Sequence, residues 1–146
     1  MEKRISINDT EPQAYKPLLA LENYLQNSNL NTRHLHLIKI RASQINKCAF
    51  CIDMHTKAAL ENGETNKRIF LLSAWNETTV FSEEEQAILA MTEEITLISE
   101  HGLSDKTYKK ALELFGEDYV SQIIMAIVAI NGWNRIAVST NMGIGI

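Results

Sequence analysis

Apolar residues at Leu18, Leu19, Leu21, Tyr24 and Leu25 recur at the three- and four-residue spacing of one helix face, and the segment ends in the polar run QNSNLN. Ahead of it stands a polar leader of about 15 residues, with Pro12 and Pro17 at its end. Thr32 is placed to cap a second helix, whose apolar positions Leu35, Leu37, Ile38, Ile40, Ala42 and Ile45 are dense and partly alternating but read as helix. Asn46 offers a cap for a third, running from Lys47 to Leu60 or Glu61 and stopped by Asn62 and Gly63. Thr65 opens the helix NKRIFLLSAW, and Ser82 with Glu85 forms a capping box ahead of EQAILAMTEEITLIS. Ser104 starts the helix containing TYKKALELF, which Gly116 closes. The last helix, Tyr119 to about Ser139, is apolar nearly all round, as suits one buried in a bundle or between subunits.

No alternating run competes for strand, no repeat of fixed period is present and no linker divides the chain. The expected fold is all-α: one domain over residues 1–146, a compact bundle of about seven short helices that oligomerises through apolar helices.

Composition narrows the function. With 146 residues, 45% hydrophobic and 22% charged, the chain can bury a core without metal or disulfide staples. A net charge of −4 without a basic stripe argues against nucleic acid as a partner. No apolar h-region follows the N-terminal charges, and the run Ile123 to Ile130 is far short of the roughly 20 residues that span a bilayer, so a cytoplasmic protein without a membrane partner is expected. In that compartment two closely spaced cysteines point to catalysis or metal binding.

Both cysteines and one of the four histidines lie in RASQINKCAFCIDMH. On a helix Cys48, Cys51 and His55 would share one face. Cys48, near the helix N-terminus, would feel its dipole, while His55, four residues after Cys51, could take that thiol's proton. The CxxC spacing also permits cycling between dithiol and disulfide. A zinc set of Cys48, Cys51, His55 and His36 or His34, and two inert buried cysteines, remain as rival readings.

The stretches RASQINKCAFCIDMHTKAAL, LLSAWNETTVFSEEEQAILAMTEEITLI and AIVAINGWNRIAV, within a match from about Leu18 to about Thr140, resemble the AhpD-like alkylhydroperoxidase branch of the carboxymuconolactone decarboxylase family. That resemblance implies a helical bundle assembling as a dimer, trimer or hexamer. It implies a dithiol enzyme that reduces peroxides or passes electrons to a peroxiredoxin, with no cofactor and with an external dithiol as reductant. In this sequence Cys51 would be the peroxide-reactive thiol, Cys48 the resolving thiol, and His55 the group that ionises Cys51. Two positions depart from the family pattern. His36 stands where a relay glutamate is usual, twelve residues before Cys48, and Phe50 stands where the best-known members carry a histidine. His36 becomes a candidate proton relay, and Phe50 makes the entrance more apolar. A lactone decarboxylase or a slow, partner-binding family member are the alternatives.

Elsewhere Trp133 reads as core and Arg135 as a partner for a carboxylate, with Glu83 to Glu85 supplying helix N-terminal charge. His34 and His101 are expected to face solvent, and Asp53 points away from the cysteine face.

Overall fold

A computed structural model describes residues 2 and 4–144. Among these residues there are seven α-helices and no strand: α1 (Ile7–Thr10), α2 (Pro12–Gln26), α3 (Thr32–Ile45), α4 (Ala49–Glu61), α5 (Asn66–Leu71), α6 (Glu83–Thr96) and α7 (Asp105–Ser139), with a 3-10 turn at Leu72–Glu77. Helix α3 is the hub, packed against α4, α6 and α7. Its dense apolar pattern follows from that position. Ile38 and Ala42 face a core shared with Leu25, Ile88, Met91, Ile123, Ile127 and Ile130. Leu37 and Ile40, on the other side, pack with Ala59, Leu72, Phe81 and Leu89. A helix buried on two faces has no polar stripe for periodicity to detect.

The expected all-α bundle is observed; several ends differ. Helix α2 starts within the leader, with Pro12 in its first turn, where a missing N–H costs nothing. Asn31 rather than Thr32 caps α3, its side chain accepting from Arg33 N–H at 2.9 Å. Ser82 and Glu85 form the expected capping box, and Thr65 and Ser104 cap α5 and α7. Gly116, at φ 76° and ψ 171°, breaks α7 into two helical parts.

Asn46 does not begin a helix. It closes α3, and Lys47 follows in the left-handed region at φ 55°. Lys47 N–H returns to Gln44 O at 3.1 Å and Cys48 N–H to Ser43 O at 2.9 Å, the paired bonds of a Schellman ending. The same ending closes α4, where Gly63 at φ 87° lets Glu64 N–H reach Ala59 O at 3.0 Å. Lysine pays a steric penalty that glycine does not. Lys47→Gly is therefore expected to stabilise the protein by about 1 kcal/mol, read as a higher urea midpoint; an unchanged or lower midpoint would show that the turn is unstrained.

Candidate dithiol site

Two helix endings place the site. The turn that stops α3 delivers Cys48 as the N-cap of α4, in extended conformation, with its sulfur accepting from Cys51 N–H at 3.4 Å. Cys48 thus precedes the helix it was expected to lie on, because the chain needs Asn46 and Lys47 to reverse direction. Both cysteines are free and 1% exposed, within the larger core cluster, and Phe50 packs half-buried against that cluster.

Helix α7 supplies the amide framework around them. Asn134, fully buried, donates to Ser43 Oγ at 2.9 Å and accepts from Asn46 Nδ2 at 2.9 Å. Asn46 also donates to Asn131 Oδ1 at 3.0 Å, and Asn131 to Thr96 Oγ1 at 3.0 Å. These bonds fasten the α3–α4 turn to α6 and α7, so the sulfurs are held by a rigid lattice rather than a loop. Burial, above all, pushes the Cys51 thiol up to about 12; contact with Cys48 adds to this, and a hydrogen bond with Asn134 opposes it. The thiol is protonated at neutral pH.

His55 lies one turn beyond Cys51 on α4 and is partly buried. Burial first, then the charge of Lys39 and the neighbouring His36, pull its imidazole down to about 3. It is neutral at physiological pH and, at rest, only weakly basic, and no hydrogen bond joins it to Cys51 among the described residues. Lys39 is buried in α3 and paired with Glu22 of α2 at 2.5 Å, and Glu22 also accepts from Trp133 Nε1 at 3.1 Å. His36, one turn before Lys39, has both ring nitrogens buried without a partner. Its pKa is lowered by burial and by Lys39, against a raising contribution from Glu64.

The other candidates disperse. His34 is not a solvent-facing residue: it is half-buried, with Nδ1 2.7 Å from the Tyr119 hydroxyl, and stacks edgewise on Phe115 and Tyr119. His101 is exposed. Asp53 pairs with Lys57 at 2.8 Å along the surface of α4. Arg135 is exposed and donates to Asn131 O at 2.9 Å rather than to a carboxylate. Among the described residues no three His, Cys, Asp or Glu side chains converge as a metal-holding group. Residues that spacing did not reveal are Glu22, Lys39, Ser43, Asn46 and Glu64. Lys39 alone carried a signal, a cation inside the apolar run LHLIKIRA.

The profile of the carboxymuconolactone decarboxylase family matches residues 12–94. The chain is 42% identical to the uncharacterised protein YdfG of Bacillus subtilis over 139 residues, 95% of each. A crystal structure from Agrobacterium tumefaciens, of a protein of unknown function assigned to AhpD antioxidant defence, is 41% identical, covers 99% of both chains and superposes with a TM-score of 0.95. The debrominase Bmp8 shares the fold at 15% identity, with a TM-score of 0.83 over 94% of this chain and 74% of its own.

Proposed function

Because the chain belongs to the carboxymuconolactone decarboxylase family, we propose that it is an AhpD-like enzyme of peroxide defence, a thiol peroxidase or disulfide reductase working through Cys48 and Cys51. The observation that carries this reading is the Cys48 sulfur bonded to Cys51 N–H at the start of α4, inside a fold shared end to end with the AhpD-type Agrobacterium protein. Such a pair closes to a disulfide with little backbone movement.

In the reaction the Cys51 sulfur attacks the distal oxygen of ROOH while its proton passes to His55 Nδ1 or Nε2. The O–O bond breaks, the alkoxide takes a proton and leaves as ROH, and Cys51 becomes a sulfenic acid. Cys48 then attacks that sulfur, water leaves, and a disulfide remains. Two thiols and one peroxide thus give one disulfide, one alcohol and one water. An external dithiol or a peroxiredoxin partner closes the cycle. Since the Cys51 proton is held tightly, His55 has to accept it during attack rather than beforehand. Phe50, packed against the core cluster that holds both cysteines, and the 44% exposed Met54 put apolar side chains next to Cys51 along α4, which fits an alkyl hydroperoxide.

The reading includes a homo-oligomer in the cytoplasm. The oligomer is supported by Met125 and Val128, exposed apolar side chains one turn apart on α7. No helix among the described residues is long and apolar enough to cross a membrane. A lactone decarboxylase has no use for a sulfur pair, and likeness to the debrominase at 15% identity extends to the fold alone.

Titration of thiols before and after excess cumene hydroperoxide tests the proposal. The expected result is loss of both thiols in the wild type and formation of an intramolecular disulfide, with Cys51→Ser inert and Cys48→Ser stopping at a sulfenic acid. An unchanged thiol count in the wild type would refute peroxide chemistry.

A further inference from the structure

Resting on that reading, we propose that Asn134 is a catalytic residue of the dithiol site: its side-chain N–H donates to the Cys51 sulfur and stabilises the negative charge that develops there as the thiol loses its proton. Asn134 is 1% exposed, on a stretch of α7 where Ile127, Ile130 and Ala137 belong to the same core cluster as both cysteines. A primary amide buried among such side chains is costly unless its groups are bonded, so the direction of each bond carries information.

These directions are fixed from two ends. At one end Asn131 Nδ2 meets the backbone oxygen of Ile127 at 2.9 Å, and a carbonyl oxygen can only accept. Asn131 therefore turns Oδ1 toward Asn46, which donates to it from Nδ2 at 3.0 Å; Arg135 Nη1 donates to the same oxygen at 3.0 Å. Asn46 Nδ2 also donates to Asn134 Oδ1, at 2.9 Å. At the other end Ser43 Oγ gives its one proton to Lys39 O at 2.6 Å, so it meets Asn134 Nδ2 at 2.9 Å as an acceptor. Both ends agree: Asn134 shows its oxygen to Asn46 and its nitrogen to the end of α3, from which Ser43 O in turn holds Cys48 N–H at 2.9 Å.

That nitrogen carries two hydrogens, and Ser43 takes one. The other is available for the hydrogen bond between Asn134 and Cys51. Turned end for end, the amide would aim its oxygen at the sulfur and repel a thiolate. A thiol sulfur accepts weakly, whereas a thiolate forms a charge-assisted bond, so the contact strengthens as the proton leaves. A donor oriented before reaction in this way favours the transition state over the resting thiol. No bond is made or broken at Asn134, and the proton balance of the reaction is unchanged.

Asn134→Leu removes the donor and leaves neither neighbour without a bond, because Asn46 keeps Asn131 and Ser43 keeps Lys39 O. Iodoacetamide alkylation of the reduced protein at pH 9, followed separately at each cysteine, has opposite signs for an electrostatic and a merely structural role. Loss of the donor should slow Cys51 about three- to tenfold, the smaller thiolate fraction being partly offset by its greater nucleophilicity, and leave Cys48 within about twofold. Loss of a structural bond alone would loosen the site and speed both buried thiols. Asn134→Asp covers the case in which that variant does not fold: it keeps the shape, accepts from Asn46 and from a turned Ser43 hydroxyl, and, ionised at this pH, should slow Cys51 further. A Cys51 rate that is unchanged or raised overturns the proposal. With cumene hydroperoxide, Asn134→Leu should slow thiol loss about tenfold or more. A wild type inert to peroxide, with Cys51 alkylation still slowed in the variant, overturns the functional reading instead and leaves the bond standing.

Discussion

Arg68→Ala is expected to cost about 3–5 kcal/mol of stability, measured as a drop in the urea midpoint at unchanged slope. Arg68 is the junction between the α4–α5 turn and α6. Its guanidinium donates to Glu64 Oε1 at 2.8 Å and to the Glu85 carboxylate at 2.6 and 3.2 Å; it also reaches Val80 O and lies 4.6 Å over the Phe81 ring. The side chains of Glu64 and Glu85 are 6% and 7% exposed. Removing the cation leaves both carboxylates in a medium that solvates them poorly, and this cost exceeds the net worth of the pairing itself. The capping box shares the network, because Glu85 Oε2 also accepts from Ser82 N–H at 2.8 Å. Adding Glu85→Gln to Arg68→Ala should recover part of the loss, since one stranded charge is gone. A loss below about 1 kcal/mol would place Arg68 with exposed surface pairs.

Alkylation of Cys51 in the reduced protein should accelerate about tenfold per pH unit from pH 6.5 to 9.5, about a thousandfold in all, without levelling off. The rate follows the thiolate fraction, and a thiol held up to about 12 stays on the rising limb throughout. An ordinary cysteine, with a pKa of about 8.5, bends toward a plateau within that range. Burial slows the reaction at every pH but does not change the slope. Iodoacetamide labelling with fragment-ion mapping of the peptide that holds both cysteines separates Cys51 from Cys48. A plateau near neutrality would mean that the thiolate is stabilised at rest, and that His55 is not needed during attack.

Helix identity was legible wherever caps and periodicity agreed. Ser82 with Glu85, Thr65, Ser104 and Gly116 mark ends through local hydrogen bonds and backbone sterics, and sequence records such effects directly. The α3–α4 junction misled because Asn46 is an equally good residue for starting a helix or for closing one. What decides is the tertiary bond from its amide to Asn131 and Asn134, 85 and 88 residues away. The CxxCxxxH spacing identified the sulfurs, but not their protonation. For Cys51 that property comes from burial and from contact with Cys48; the lowered basicity of His55 comes from burial and from Lys39, whose charge reaches it only once α3 and α4 are packed.

The hydrogen bond from Cys51 N–H to the Cys48 sulfur has a consequence for the whole molecule. Crosslinking residues only three apart removes little freedom from the unfolded chain, about 2 kcal/mol at most by loop entropy, whereas long loops yield more. Helix formation has already spent much of the ordering that the crosslink would require. Under the proposed dithiol chemistry, oxidised and reduced forms should therefore melt within a few degrees of each other, so that a change of redox state leaves the fold in place.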